Sequence, residues 1–182
     1  MPAPADDPVL ILTGPPGAGK TATARVLAAS RKRAVHIESD AFFHFIASGY
    51  VEPWKPESHA QNTLVMDAVA EAALRYARGG YFTIVDGIVS PRWFFEPLRD
   101  SLRAAGRLVA YAVLRPPLAV CLSRAVGRDE HPLADPQVVE RLWHEFEDLG
   151  SLEPRVVETD GMGIREVADH LEERLAAGRL GV

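Results

Sequence analysis

Short apolar runs alternate along the chain with longer stretches in which apolar and polar positions mix. The runs are Val9-Leu10-Ile11-Leu12, Ala34-Val35-His36-Ile37, Tyr81-Phe82-Thr83-Ile84-Val85, Leu108 to Leu114 and Val156-Val157-Glu158. Runs of this length, bounded by turn residues, read as buried strands. The first ends at Gly14, the second at Glu38-Ser39-Asp40 and the third at Asp86-Gly87. The intervening stretches read as helices. One covers Thr21 to Ala29, and a long one covers Ser58 to Arg78, stopped by Gly79-Gly80. Ser90 as cap and Pro91 in the first turn open another, which ends near Gly106. Further helices run from Pro116-Pro117 to near Arg128, from near Gln137 to Leu149, and over residues 163–177. A short helix and an irregular loop occupy 40–57, and a polar turn occupies Asp129 to Pro136. Strands alternating with helices predict an α/β fold of three layers, a parallel sheet with helices on both faces.

The chain has 182 residues, 47% apolar and 25% charged, which suits one soluble domain over 1–182 with residues 1–7 as a loose tail. The formal net charge of −5 weighs against a nucleic-acid partner, which calls for a basic surface. The single Cys121 forms no internal disulfide, and neither Cys-x-x-Cys nor His-x-x-x-His spacing is present for zinc. The first residues lack the basic and apolar segments of a signal peptide. No apolar run approaches the roughly 20 residues that span a bilayer. A cytoplasmic protein without a membrane partner is expected, its oligomeric state left open.

Residues 14–21, Gly14-Pro15-Pro16-Gly17-Ala18-Gly19-Lys20-Thr21, match G-x-x-x-x-G-K-[ST] in full. A strand precedes the motif and a helix follows it, as a phosphate-binding loop requires. Its glycines let backbone N–H groups converge on phosphate oxygens, and the helix N-terminus adds a favourable dipole. Lys20 is placed to reach the β- and γ-phosphates, and Thr21 to offer its hydroxyl to Mg²⁺. Thr23, in the first turn of the helix, joins the nucleotide-binding set. ATP and Mg²⁺ are the expected cofactors. No Asn-Lys-x-Asp guanine signature occurs.

Ligands of open α/β sheets bind outside the carboxyl ends of the strands. Asp40 and Asp86 both lie at such ends. A kinase needs one carboxylate for Mg²⁺ and its waters, and another to orient the attacking hydroxyl and take its proton. The assignment adopted is Asp40 as base and Asp86 on the magnesium side with Thr21. Asp40 could equally serve as the cap of the helix that follows it.

These residues resemble those of P-loop small-molecule and nucleotide kinases. Asp86-Gly87-Ile88-Val89-Ser90-Pro91-Arg92 resembles a looser form of the Asp-Gly-Phe-Pro-Arg segment of adenylate kinases. Ser39-Asp40 is similar to the equivalent turn in gluconate kinase and chloramphenicol phosphotransferase. The resemblance implies a five-stranded sheet with the P-loop strand at its centre. It also implies a small helical lid late in the chain whose arginines close over the phosphates. Arg124 and Arg128, four apart on one helix face, match that lid at 124–136; two exposed surface arginines are the alternative. Arg92 and Arg115 are further candidates.

Nucleotide monophosphate kinases carry an arginine shortly after the second strand, where Phe43 stands here. From Ala34 to Leu74 no arginine occurs. A phosphorylated acceptor calls for arginine donors, so this segment points to an acceptor hydroxyl on a non-phosphorylated molecule. The acceptor segment is 40–62. Phe43, Tyr50 and Trp54 supply apolar walls, Arg92 a cation, and Glu57, with His44, His59, Gln61 and Asn62, the oriented polar contacts. Ser58 and Gln61 also fit a helix-capping pair. His36, without a partner visible in sequence, reads as a structural or surface residue. The resulting expectation is an ATP- and Mg²⁺-dependent phosphotransferase acting on a sugar, an antibiotic or a similar small molecule. A nucleotide or nucleotide-sugar kinase, and a nucleotide-dependent switch with slow hydrolysis, are the alternatives.

Overall fold

The computed structural model describes residues 7–126 and 135–182. Five parallel strands form one sheet in the order β2-β3-β1-β4-β5. They are β1 (Val9–Thr13), β2 (Ala34–Glu38), β3 (Phe82–Asp86), β4 (Val109–Arg115) and β5 (Val156–Glu158). The helices are α1 (Lys20–Ala29), α2 (Ser39–Phe43), α3 (His59–Arg78), α4 (Phe95–Ala104), α5 (Leu118–Val126), α6 (Pro136–His144) and α7 (Ile164–Ala176). Short 3₁₀ turns at Pro56–Ser58 and Gly150–Arg155 precede α3 and β5. Among the described residues, no helix is long and apolar enough to cross a membrane.

The apolar runs become strands because helices cover both sheet faces. Every residue of β1 is buried, and its side chains alternate between two cores. Val9 and Ile11 face Met66 and Val69 of α3 and Leu98 and Leu102 of α4. Leu10 and Leu12 face Ala24 and Leu27 of α1 and Val167 and Leu171 of α7. Each fully buried leucine or isoleucine contributes about 1.5–3 kcal/mol relative to exposure. Cys121 and Ala125 of α5 pack with Val139 of α6 in a satellite cluster.

Register aligns the strand ends that matter. Asp86 is level with Leu12 of β1 and with Glu38 of β2. The loop after β1, the start of α2 and the end of β3 therefore share one edge of the sheet.

One element starts later than its capping pattern implies. Ser90-Pro91 forms a tight turn, closed by Trp93 N–H donating to the Ser90 carbonyl at 2.8 Å, and α4 begins at Phe95. Phe94 adopts a left-handed backbone, φ 58°, at the junction. The aromatic contacts account for the delay. Trp93 meets Phe94 edge-on at 4.9 Å and stacks near-parallel to Phe43 at 6.5 Å, while Phe95 lies 4.3 Å from Tyr111 in the core.

Candidate active site

The loop between β1 and α1 is shaped for close backbone approach. Gly14 has φ 143°, and a Cβ there would lie 2.2 Å from the Leu114 carbonyl oxygen. Gly17 has φ 80°, and a Cβ there would lie 2.7 Å from the Cys121 carbonyl oxygen. Only glycine meets both demands. Pro15, Pro16 and Ala18 are buried in the same loop. Gly19 is the N-cap of α1, and the first turn carries neither a capping side chain nor an acid. Its orphan N–H groups suit an anion. Lys20 Nζ donates to the Gly14 and Pro15 carbonyls at 2.9 and 3.0 Å, so its ammonium sits at the loop itself. Thr23 is 2% exposed and does not line the cradle.

Asp86 is 4% exposed at the end of β3. Its Oδ2 accepts the Thr21 hydroxyl at 2.7 Å and lies 3.1 Å from His36 Nε2. His36 Nδ1 lies 3.9 Å from Glu38 Oε1, which pairs with Arg25 at 3.1 Å. His36 thus braces a site carboxylate. Strand alternation carries the signal. His36 and Glu38 share one face of β2, beside the end of β3.

A hydroxyl and a carboxylate at 2.7 Å form a pair of hard oxygen donors, the chemistry Mg²⁺ prefers. Among the described residues, no group of three or more His, Cys, Asp or Glu could hold a metal. Magnesium bound together with phosphates needs only one or two protein oxygens, so Thr21 and Asp86 fit it.

Two cavities adjoin this edge. A cradle of about 110 Å³ is lined by Pro16, Gly17, Gly19, Lys20, Thr21, Ala22, Glu38, Asp40, Asp86 and Ile88. A cavity of about 620 Å³ is lined by Asp40, Phe43, His44, Tyr50, Pro53, Trp54, Ile88, Ser90, Arg92, Trp93, Arg141, Leu142 and Glu145. Asp40 and Ile88 border both. Asp40 is the second residue of α2, whose N-cap is Glu38, so Asp40 is not the helix cap. The loop after β3 is pinned from two sides. Val89 N–H donates to Thr13 Oγ1 at 2.8 Å, and the Tyr111 hydroxyl donates to the Val89 carbonyl at 2.7 Å. Burial raises the Tyr111 hydroxyl's pKa and keeps it a donor. Tyr50's pKa is also raised, by burial first and then by the negative charges of Glu52 and Asp40.

Of the residues expected to contact the acceptor, Phe43, His44, Tyr50, Trp54 and Arg92 line the large cavity. Glu57 does not; it is exposed on the 3₁₀ turn. Gln61 and Asn62 brace the loop. The Gln61 amide accepts from Val51 N–H at 2.8 Å and donates to the Val51 carbonyl at 2.6 Å. Asn62 and Ser58 donate to the Pro53 carbonyl at 2.8 and 2.9 Å, and Ser58 makes no cap bond. Buried loop carbonyls need such partners. His59 stacks near Phe94 at 6.1 Å. Trp93, Arg141 and Glu145 complete the cavity from positions that carry no local signal in sequence. Arg141 joins Arg92 in the lining, so the cavity draws its guanidiniums from outside the arginine-free stretch.

Arg124 of α5 donates from Nη1 to the Gly17 carbonyl at 3.2 Å and so stands against the phosphate loop. Arg128 and most of the expected lid lie outside the described residues. Arg115, the last residue of β4, lines neither cavity. It bonds Glu153, Glu158 and the carbonyls of Phe146 and Glu147. The Cys121 thiol is pushed up to about 11, chiefly by burial, so it stays protonated.

This geometry agrees with comparisons to known proteins. The family model described as an AAA domain matches residues 9–149, and the chain belongs to that family. Its fold is that of P-loop small-molecule kinases. The tunicamycin resistance protein of Deinococcus radiodurans is 26% identical, with a TM-score of 0.67 over 94% of this chain and 95% of that one. A gluconokinase from Sinorhizobium meliloti 1021 is 20% identical, with a TM-score of 0.69 over 95% and 94%. A shikimate kinase from Acinetobacter baumannii is 22% identical, with a TM-score of 0.63 over 95% of each chain. Among curated proteins, none matches the chain by sequence.

Proposed function

We propose that this protein is an ATP- and Mg²⁺-dependent phosphotransferase that moves the γ-phosphate to a hydroxyl of a small, non-phosphorylated molecule. The observation that carries the reading is Asp40, which borders both the phosphate cradle and the large aromatic cavity. A carboxylate at that junction can orient an acceptor hydroxyl from one cavity toward a phosphate in the other and take its proton. The loop amides and Lys20 hold the phosphates, and Thr21 and Asp86 hold Mg²⁺. When bound, Mg²⁺ supplies charge neutralisation at the phosphate oxygens. Arg124, with Arg128, adds guanidinium donors as negative charge builds up in the transition state. The tunicamycin resistance protein, the gluconokinase and the shikimate kinase lend the reading support as similar folds.

The test is Mg·ATP turnover against sugars, aminoglycosides, other antibiotics, nucleosides and nucleotides. A large stimulation by one acceptor over basal hydrolysis is expected, and Lys20→Ala abolishes it. Tight ATP binding with no stimulation by any compound would instead favour a nucleotide-dependent switch.

A further inference from the structure

We infer that the acceptor is an alcohol with a flat, apolar body larger than one sugar ring and bearing no phosphate, and that the cavity beside Asp40 encloses that body. The hydroxyl's placement at Asp40 rests on the phosphotransfer reading; the shape and chemistry of the body rest on the cavity alone.

Size is the first argument. The cavity's volume of about 620 Å³ falls mid-range for pockets that take drug-sized ligands, roughly 300–1,000 Å³. The walls are the second. Phe43, Tyr50, Trp54 and Trp93 line the space, with Phe43 and Trp93 stacked on each other at 6.5 Å. Tyr50 and Trp54 remain 44% and 39% exposed, although aromatic rings of this size gain most by burial. An aromatic or otherwise planar body laid against them would cover those faces. A polyhydroxylated ring, lacking a continuous apolar face, would leave much of that aromatic surface uncovered.

Rigidity is the third argument. The loop that carries Tyr50 and Trp54 is fastened by Gln61 on both polar atoms of Val51, and by Asn62 and Ser58 on the Pro53 carbonyl. The aromatic walls are therefore held ready before a ligand arrives, which lowers the ordering cost of binding. Charge is the fourth. Asp40 and Glu145 balance Arg92 and Arg141 around the lining, to which His44 adds an imidazole. A phosphate on the acceptor would meet two carboxylates with no excess of guanidinium, whereas a neutral or zwitterionic molecule meets no net repulsion.

The experiment compares three acceptor sets: aryl-substituted diols with uncharged nucleosides, simple hexoses and polyols, and nucleoside monophosphates. Each set is read twice, by Mg·ATP turnover and by quenching of intrinsic tryptophan fluorescence without nucleotide. The expected result is quenching by members of the first set and a kcat/KM at least about 100-fold above that for hexoses, the scale of discrimination that apolar contacts reach. Trp54→Leu should raise the Kd and KM of the aryl compounds about tenfold and leave the Kd for Mg·ATP unchanged. Preferential turnover of hexoses or of monophosphates would overturn the inference while leaving the kinase reading standing. Quenching by aryl alcohols that are never phosphorylated would uphold the cavity's chemistry and overturn the kinase reading. No quenching by any member of the first set would overturn the inference.

Discussion

Asp86 gathers the Thr21 hydroxyl and the His36 ring on a single carboxylate oxygen, Oδ2, at 2.7 and 3.1 Å. The three residues come from β3, the start of α1 and β2, so the contact ties three neighbouring elements together at the phosphate cradle. His36 then acts as a positioning residue, fixing the orientation in which Asp86 presents its oxygens. Partners of this kind are worth about 10–100-fold in metal affinity or activity. His36→Phe should weaken apparent Mg²⁺ affinity by that amount, and His36→Gln, which keeps a donor, should recover part of it. Mg²⁺ titration of nucleotide binding, followed by a fluorescent ATP analogue, reads this without turnover. An unchanged titration in His36→Phe would remove the role.

Thr21 and Asp86 act as one unit in this account, so their losses should not add. Thr21→Ala and Asp86→Asn should each sharply weaken Mg²⁺-dependent ATP affinity, and the double variant should be little worse than either. The coupling expected for residues in direct contact is about 0.5–3 kcal/mol. Simple additivity across the double-mutant cycle would show that the two oxygens serve separate ends.

Arg124 leans on the phosphate loop through the Gly17 carbonyl. Arg124→Ala should lower kcat by about 100–1,000-fold, the effect of losing one donor to developing charge, and change Mg·ATP affinity far less. Arg124→Lys should not restore the rate, because a point charge lacks the guanidinium fork. Equal losses in affinity and rate would make Arg124 a ground-state contact.

Arg115 is predicted to serve stability. Its hydrogen bonds hold the Glu153 carboxyl below its ordinary value, with help from the Leu149 N–H. A depressed folded value adds stability above the unfolded pKa of 4.5 and loses it as pH falls through the folded value. Arg115→Leu should cost about 2 kcal/mol at neutral pH, mostly through the part-buried Phe146 carbonyl left without a donor. The Glu153 share is smaller, because that side chain is 38% exposed and screened. Chemical denaturation at neutral pH and again below about pH 4 should show the gap between wild type and variant narrowing. A gap that does not change with pH would exclude the Glu153 contribution.

The strand and loop pattern was legible because its signals are local. Val9 to Leu12, the glycines of the phosphate loop and the acids at Asp40 and Asp86 sit within a few residues of the turns they define. Phe43, Tyr50, Trp54 and Arg92 were legible as a cavity wall because three of them cluster in one aromatic segment and the fourth follows Asp86. His36 was hidden because its partner is fifty positions away, brought close only by strand register. Arg141 and Glu145 carry no local signal that sets them apart from other charged residues. The place of α6 over the cavity follows from packing of α5 on α6, which no local periodicity encodes. The Ser90-Pro91 pattern was misleading for a physical reason. A good cap sequence was outweighed by the aromatic contacts of Trp93, Phe94 and Phe95.

The central claim is that Asp40 joins the two cavities as the group that receives the acceptor's proton. It is tested most directly by measuring, with the best acceptor found, both phosphoryl transfer and Mg·ATP affinity in Asp40→Asn. The account predicts transfer reduced by about 100–10,000-fold, the range of general base catalysis, with Mg·ATP affinity unchanged. Full transfer activity in Asp40→Asn would contradict it.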